Sequence, residues 1–194
     1  MRYRIAAAAI LAAVLLSLVS DQGSREPVQA PGAPVAVSAE DLVSRWPDRP
    51  RALAQLMIER YGKPDQTVAS QISWSLRGPW SKIVVFRDPD PSGRGKHLLQ
   101  SVPYAAVPVD HHWRDLSEFG RGASYDPATR ELTARTDSQE TNYLALNLAD
   151  EIVRGRRNVR DAQDFYDAAS NLSSAGKSSP YMQGLLFGPV AAPR

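Results

Sequence analysis

The stretch from Ile72 to Phe86 constrains this chain more than any other. Ile72, Trp74 and Leu76 alternate with polar residues, the period of a strand with one buried face. Arg77-Gly78-Pro79 interrupts the pattern, and Trp80 to Phe86 resumes as a more continuous apolar strand through Ile83, Val84 and Val85. Strands joined by so short a break pair antiparallel. The chain has no cysteine, so no disulfide can staple the sheet that grows from this hairpin. The domain must hold itself by burial.

Helical signals precede the hairpin. Ser38 is positioned to cap a short helix bearing Leu42, Val43 and Trp46, with Asp41 in the capping-box position. Asp48 is the expected cap of a second helix, with Pro50 in its first turn and Leu53, Leu56, Met57 and Tyr61 at helical spacing. Gly62 and Pro64 end it. After the hairpin come a Pro/Gly loop at Asp88–Lys96, a third strand at Leu98–Tyr104 and a short helix at Asp110–Phe119 stopped by Gly120. Tyr125-Asp126-Pro127-Ala128-Thr129 reads as a turn between two short strands, the second holding Leu132 and Ala134. Asp137 or Ser138 starts the expected longest helix, running to about Arg154 with Tyr143, Leu144, Leu148 and Ile152 on its apolar face. Asn158 caps a last one. Helices at both ends of a run of adjacent strands imply an α+β domain, with four or five antiparallel strands and helices packed on one face. Its expected limits are residues 38–170.

The flanks read differently. Met1–Arg4 is short and basic, and Ile5–Val19 is a 15-residue run that is apolar except for Ser17. That is the pattern of a secretory signal. At 1.5 Å per residue it spans only ~23 Å, short of the ~30 Å bilayer core, which favours a cleaved signal over an anchor at residues 1–20. Leu18 makes a poor cleavage site before Ser20, so an uncleaved N-terminal helix is the alternative. Membrane contact is then confined to residues 1–20. Residues 21–37, with three prolines and two glycines, form an extended linker. Residues 171–194 form a Ser/Gly/Pro-rich tail with an apolar segment at Tyr181, Met182, Leu185, Leu186 and Phe187. That segment either docks a partner, folds back onto the domain or stays loose.

Charge disfavours nucleic acid as a partner. Between Ser38 and Ser170 there are 18 Lys and Arg against 19 Asp and Glu, a balance of −1, where a nucleic-acid binder carries a basic excess. No Gly-rich loop follows a strand and opens a helix, and no G-x-S-x-G or H-E-x-x-H motif is present. No cofactor is implied. His111 and Asp115, at i and i+4, are the nearest approach to a metal pair; two ligands with a distant His97 do not make a site, and no metal is expected. Asp137 and Glu140 could work as acid and base, but both sit where a helix start favours negative charge. Trp74 and Trp80 flank the hairpin turn, where aromatic rings either stack on a ligand or pack across the strands. Arg154, Arg156 and Arg157, with Arg160, form the densest basic cluster, a candidate surface for anions at a helix end where cations also suit the dipole. Asn142 and Asn147 interrupt the apolar pattern of the long helix, and each is expected to pin a neighbouring loop or strand.

A resemblance follows from the motifs taken as a set. Tyr61-Gly62-Lys63-Pro64-Asp65, Trp74, Gly78-Pro79-Trp80 and Val84-Val85-Phe86-Arg87 resemble the front half of a family of uncharacterised exported bacterial proteins. Leu99-Gln100-Ser101-Val102-Pro103-Tyr104, Leu132-Thr133-Ala134-Arg135 and Asn142-Tyr143-Leu144-Ala145-Leu146-Asn147-Leu148-Ala149, with Ile152-Val153 and Gly155, resemble its back half. The resemblance implies an exported single domain and carries no catalytic residue. The functional expectation is a periplasmic or secreted cell-envelope protein, a non-catalytic module for an envelope protein or cell-wall component. The alternative is a small hydrolase acting on envelope material through acidic residues.

Overall fold

In the computed structural model, the described residues are 38–91, 96–104 and 111–188. The expected signal and linker lie outside them. The first helix, α1 (Ala39–Val43), starts where Ser38 Oγ accepts the Asp41 N–H at 3.0 Å. The second, α2 (Asp48–Tyr61), follows Pro47; Asp48 lies inside the helix rather than capping it and holds Arg51. The strands are β1 (Gln66–Val68), β2 (Gln71–Arg77), β3 (Trp80–Phe86), β4 (Leu98–Pro103), β5 (Ala123–Asp126) and β6 (Glu131–Thr136). A 3-10 turn at His111–Asp115 leads into α3 (Leu116–Phe119), which Gly120 ends at φ +63°. The last two helices are α4 (Gln139–Val153) and α5 (Val159–Ser174).

All pairings are antiparallel, in the order β1-β2-β3-β4-β6-β5. The fold is α+β as expected, with six strands. The unforeseen one is β1, three exposed residues that no alternation marks and that exist because β2 offers them an edge. The buried side of the sheet carries Ile72, Trp74, Ile83, Val85, Leu98, Val102 and Leu132, with α2 and α4 against it. The opposite side carries a cross-strand row of small and polar residues: Ser75, Lys82, Ser101, Thr133 and Ser124.

The central hairpin departs from strict alternation beside its turn, at Leu76 on β2 and between Trp80 and Lys82 on β3. Leu76 was expected on the face of Ile72 and Trp74. Instead it takes φ +54° and is 80% exposed. Gly78, at φ +58°, is the first of the two loop residues between Arg77 and Trp80, the position where a II′ turn requires glycine. Beyond this break Trp80 faces the helices. Its ring stacks on Tyr143 of α4 at 5.3 Å, and its indole N–H donates to Tyr61 Oη of α2 at 2.9 Å.

That bond begins a buried polar chain. Tyr61 Oη donates to Gln139 Oε1 (2.8 Å), and Gln139 Nε2 donates to Tyr143 Oη (2.7 Å). Gln100 Nε2 reaches Gln139 Oε1 at 3.3 Å, and Asn142 Nδ2 donates to Gln100 Oε1 at 2.9 Å. Asn142 Oδ1 in turn accepts from Thr136 Oγ1 at 2.7 Å. Asn142 thus ties α4 to β4 and β6, the pinning role its place in an apolar stretch suggested.

The C-terminal boundary differs from expectation. The α5 helix continues to Ser174, so the Asn171-Leu172-Ser173 triplet is helical. Beyond it Tyr181, Met182, Leu185 and Phe187 pack against the core. Asn147 holds this segment. Its Nδ2 donates to the carbonyls of Tyr181 (3.0 Å) and Gly184 (2.8 Å), and its Oδ1 accepts the Leu186 N–H at 2.8 Å. Of the three readings of the apolar tail, folding back is the one seen. Among the described residues no helix is long and apolar enough to cross a membrane.

Candidate functional site

The chemistry-bearing residues concentrate where α4 ends and α5 begins. Asp150 and Glu151 occupy the last turn of α4. Gly155, at φ +66°, then reverses the chain so that the amides of Arg156 and Arg157 return to the Glu151 carbonyl at 2.8 and 3.3 Å. The reversal folds the arginines back over the acids that precede them. Arg154 Nε donates to Asp150 Oδ1 at 2.7 Å, and Arg156 Nη2 donates to Asp150 Oδ2. Arg157 Nε donates to Glu151 Oε2 at 2.5 Å. The Asp150 side chain is 2% exposed and takes a third bond, from Tyr104 Oη at 2.6 Å.

At the centre of this knot one buried carboxylate, Asp150, is satisfied by Tyr104 and by two arginines that themselves reach the surface, the condition under which burial of a charge is tolerated. Burial and the Asp150 carboxylate together push the Tyr104 phenol well above its ordinary range. The hydrogen bond to Asp150 raises Arg154 further. Glu151 also accepts from Tyr181 Oη, so the same acids that gather the arginines fasten the tail. That bond, with burial, raises the Tyr181 phenol. Sequence reasoning found the arginines and missed Asp150, Glu151, Tyr104 and Tyr181. The i, i+4 spacing of Asp150 and Arg154 was the available signal.

The candidate surface of Trp74, Trp80, Arg154, Arg156 and Arg157 is therefore corrected. Trp74 is 0% and Trp80 1% exposed, with their N–H groups on Gly62 O and Tyr61 Oη, so neither ring presents a face to a ligand. The three arginines are committed to Asp150 and Glu151, so they are not three free cations for an anion.

Beside the knot lies a groove of about 600 Å³ between the His111–Asp115 turn with α3 on one bank and the start of α5 on the other. Its floor is Gly155, over which the His112 ring lies; a Cβ there would come within 3.7 Å of that ring. Asp115 and Glu118 line the first bank, Arg157 and Arg160 the second. His112 Nδ1 is 3.1 Å from Asp115 Oδ2. Among the described residues Glu118 and Arg160 make no ion pair. The side chain of His111 lies outside the described residues, as does its proposed pairing with Asp115.

The other sequence candidates separate. His97 is buried with Nδ1 3.0 Å from Phe86 O. Asp137 Oδ2 is 3.3 Å from Arg49 Nη2, while Ser138, not Asp137, caps α4 by accepting the Thr141 N–H. Asp137 and Glu140 line different clefts and do not form an acid pair. Among the described residues no three His, Cys, Asp or Glu are grouped to hold a metal ion. Comparison with family models, curated proteins and solved structures finds no match to this chain.

Proposed function

We propose that this chain is an exported cell-envelope module of the kind its motifs resemble, and that it binds a polypeptide partner without catalysing a reaction. The observation that carries the proposal is the groove beside α5, with Asp115 and Glu118 on one bank and Arg157 and Arg160 on the other. The charges open to a partner are Glu118 on the first bank and Arg160 on the second, which make no ion pair among the described residues, and their opposite signs suit an extended segment that carries both charges, read in one direction only. The interior acids support the same reading, because Asp150 and Glu151 spend their oxygens on Tyr104, Tyr181 and the arginines. Export rests on the basic start and the apolar run at Ile5–Val19.

The test places a photo-crosslinking residue at Arg160 and, separately, at Lys82 on the far side of the sheet, in cells that make the full chain. Position 160 is expected to give one discrete adduct in the envelope fraction, lost when Glu118→Lys reverses the opposite bank. Position 82 is expected to give none. Equal adducts from both positions, or an adduct indifferent to Glu118→Lys, would overturn the groove reading. Recovery of the full chain in the cytoplasm would overturn export.

A further inference from the structure

A cleft of about 570 Å³ opens where the end of α2, the start of α4 and the C-terminal segment meet. Its size falls in the range of small-ligand sites, about 300–1,000 Å³. The buried amide chain leads into it. Asn142 Nδ2 donates to Gln100 Oε1, Gln100 Nε2 to Gln139 Oε1, and Gln139 Nε2 to Tyr143 Oη, which lines the cleft. Every bond in that run donates in the same direction, and bonds aligned in this way strengthen one another. Tyr143 Oη ends the run as an acceptor. Its own proton is left to give, and no acceptor takes it among the described residues. Burial raises the Tyr143 phenol above its ordinary range, so that proton is present at physiological pH.

Two charges flank this donor. Arg60 and Glu140 are exposed, line the same cleft and make no ion pair among the described residues. Both are felt at the Tyr143 phenol, Arg60 lowering it and Glu140 raising it, so both stand within electrostatic reach of its oxygen. Opposite charges held apart around one donor select a ligand by elimination. A simple anion meets Glu140, a simple cation meets Arg60, and a neutral molecule strips water from both charges and returns no counter-ion. The structure assigns this cleft to a free α-amino acid in its zwitterionic form, its carboxylate on Arg60 and the Tyr143 hydroxyl and its ammonium on Glu140. A carboxylate only accepts and an ammonium only donates, which matches those partners. Both protein charges act at one phenol oxygen, so the ligand's charges belong on one α-carbon rather than at the two ends of a peptide. Gln183 Nε2 donates to Ser178 Oγ at 3.2 Å, which leaves the Ser178 proton and Gln183 Oε1 as one further donor and one further acceptor on the cleft wall. The C-terminal segment that Asn147 fastens thus builds part of the site. The cleft shares no residue with the groove beside the arginine knot, so either proposal can fail without the other.

The experiment titrates the full chain with L-leucine, L-methionine and L-phenylalanine. Binding is read by calorimetry and by the ring resonances of ¹³C-labelled tyrosine, Tyr143 being assigned through Tyr143→Phe. At least one amino acid is expected to bind with Kd near or below about 1 mM and to shift Tyr143. Isocaproate keeps leucine's side chain and carboxylate without the amine, and isoamylamine keeps the amine without the carboxylate. Each is expected to bind about 10-fold more weakly than leucine or worse, the loss that one charged hydrogen bond implies. Arg60→Gln and Glu140→Gln are each expected to weaken the amino acid by about 10-fold for the same reason. Both positions are exposed, so these variants keep the test valid if Tyr143→Phe disturbs the amide chain. Three results would overturn the proposal: no binding of any amino acid, binding of a one-charge analogue or of leucyl-glycyl-glycine as tight as that of leucine, or an affinity that both charge variants leave unchanged.

Discussion

Replacing Asn147 by alanine tests how the C-terminal segment is held. The side chain makes three hydrogen bonds to that segment: to Tyr181 O, Gly184 O and Leu186 N. At about 1 kcal/mol net for each, their loss costs about 3 kcal/mol, and more if the three backbone groups stay buried without partners. A ceiling applies, because the segment can leave. Once the loss exceeds the docking energy of residues 179–187, the tail detaches and its backbone groups return to water. The expected result is therefore local. The Leu186 amide should lose its protection against hydrogen exchange by about 100-fold or more, the equivalent of about 3 kcal/mol. Amides in β3 and β4 should keep theirs. Asn147→Asp should be worse than alanine, because it aims a carboxylate at two carbonyl oxygens. A double variant, with truncation after Lys177, should show strong coupling, since the tail cannot be lost twice. A Leu186 amide that stays protected in Asn147→Ala would refute the reasoning, for apolar packing alone would then hold the segment.

Three further outcomes follow from the fold. Asp150→Asn removes the buried charge that holds Arg154 and Arg156, whose own side chains reach water, and should lower the unfolding free energy by about 1.5–3 kcal/mol in urea titration; a loss under about 0.5 kcal/mol would mean the carboxylate is dispensable to the knot. Tyr166, with its phenol raised to about 12, stays protonated in the folded state while the unfolded chain ionises near its ordinary value of 10.0. Its contribution is therefore full below about pH 10 and fades as pH rises to about 12, a loss of about 2–3 kcal/mol that Tyr166→Phe should remove from the alkaline limb of the stability curve. Leu76→Gly removes an exposed side chain from a left-handed backbone position. Relief of about 1–2 kcal/mol against a glycine entropy cost of about 0.5–1 kcal/mol should raise the melting temperature by a few degrees, and a fall would contradict the strain.

What the sequence made legible was what local periodicity encodes. The β2–β3 hairpin, Ser38 and Ser138 as caps, and the stop at Gly120 follow from residues a few positions apart. Leu76 escaped because a single left-handed residue resets which side chains face inward, and nothing in Ser-Leu-Arg announces it. The β1 strand escaped because three exposed residues carry no pattern and take their structure from a neighbour's edge. The arginine cluster was legible as charge but not as a site. Its meaning depends on Gly155 turning the arginines back onto Asp150 and Glu151, rather than letting them project as a patch. The cleft with Arg60 and Glu140 joins residues far apart in the chain, which no spacing argument reaches.

The tail was within reach of a stricter argument. Asn142 and Asn147 are five residues apart, so on a helix turning about 100° per residue they point about 140° apart. If both amides are buried, α4 has two covered sides rather than one, and a sheet can supply only one of them. Asn142 meets β4 and β6; Asn147 therefore needs a second cover, and among the described residues the tail's backbone supplies its partners. Eleven of the fifteen residues of α4 are buried, which fits a helix enclosed between sheet and tail rather than an amphipathic one lying on a surface. The hydroxyl-rich residues after Ala169 disguise this, because Ser and Asn weaken a helix in isolation and read as a linker. Enclosure on both sides of α4 supplies the tertiary contacts that outweigh that propensity, and it makes residues 179–187 a structural part of the domain.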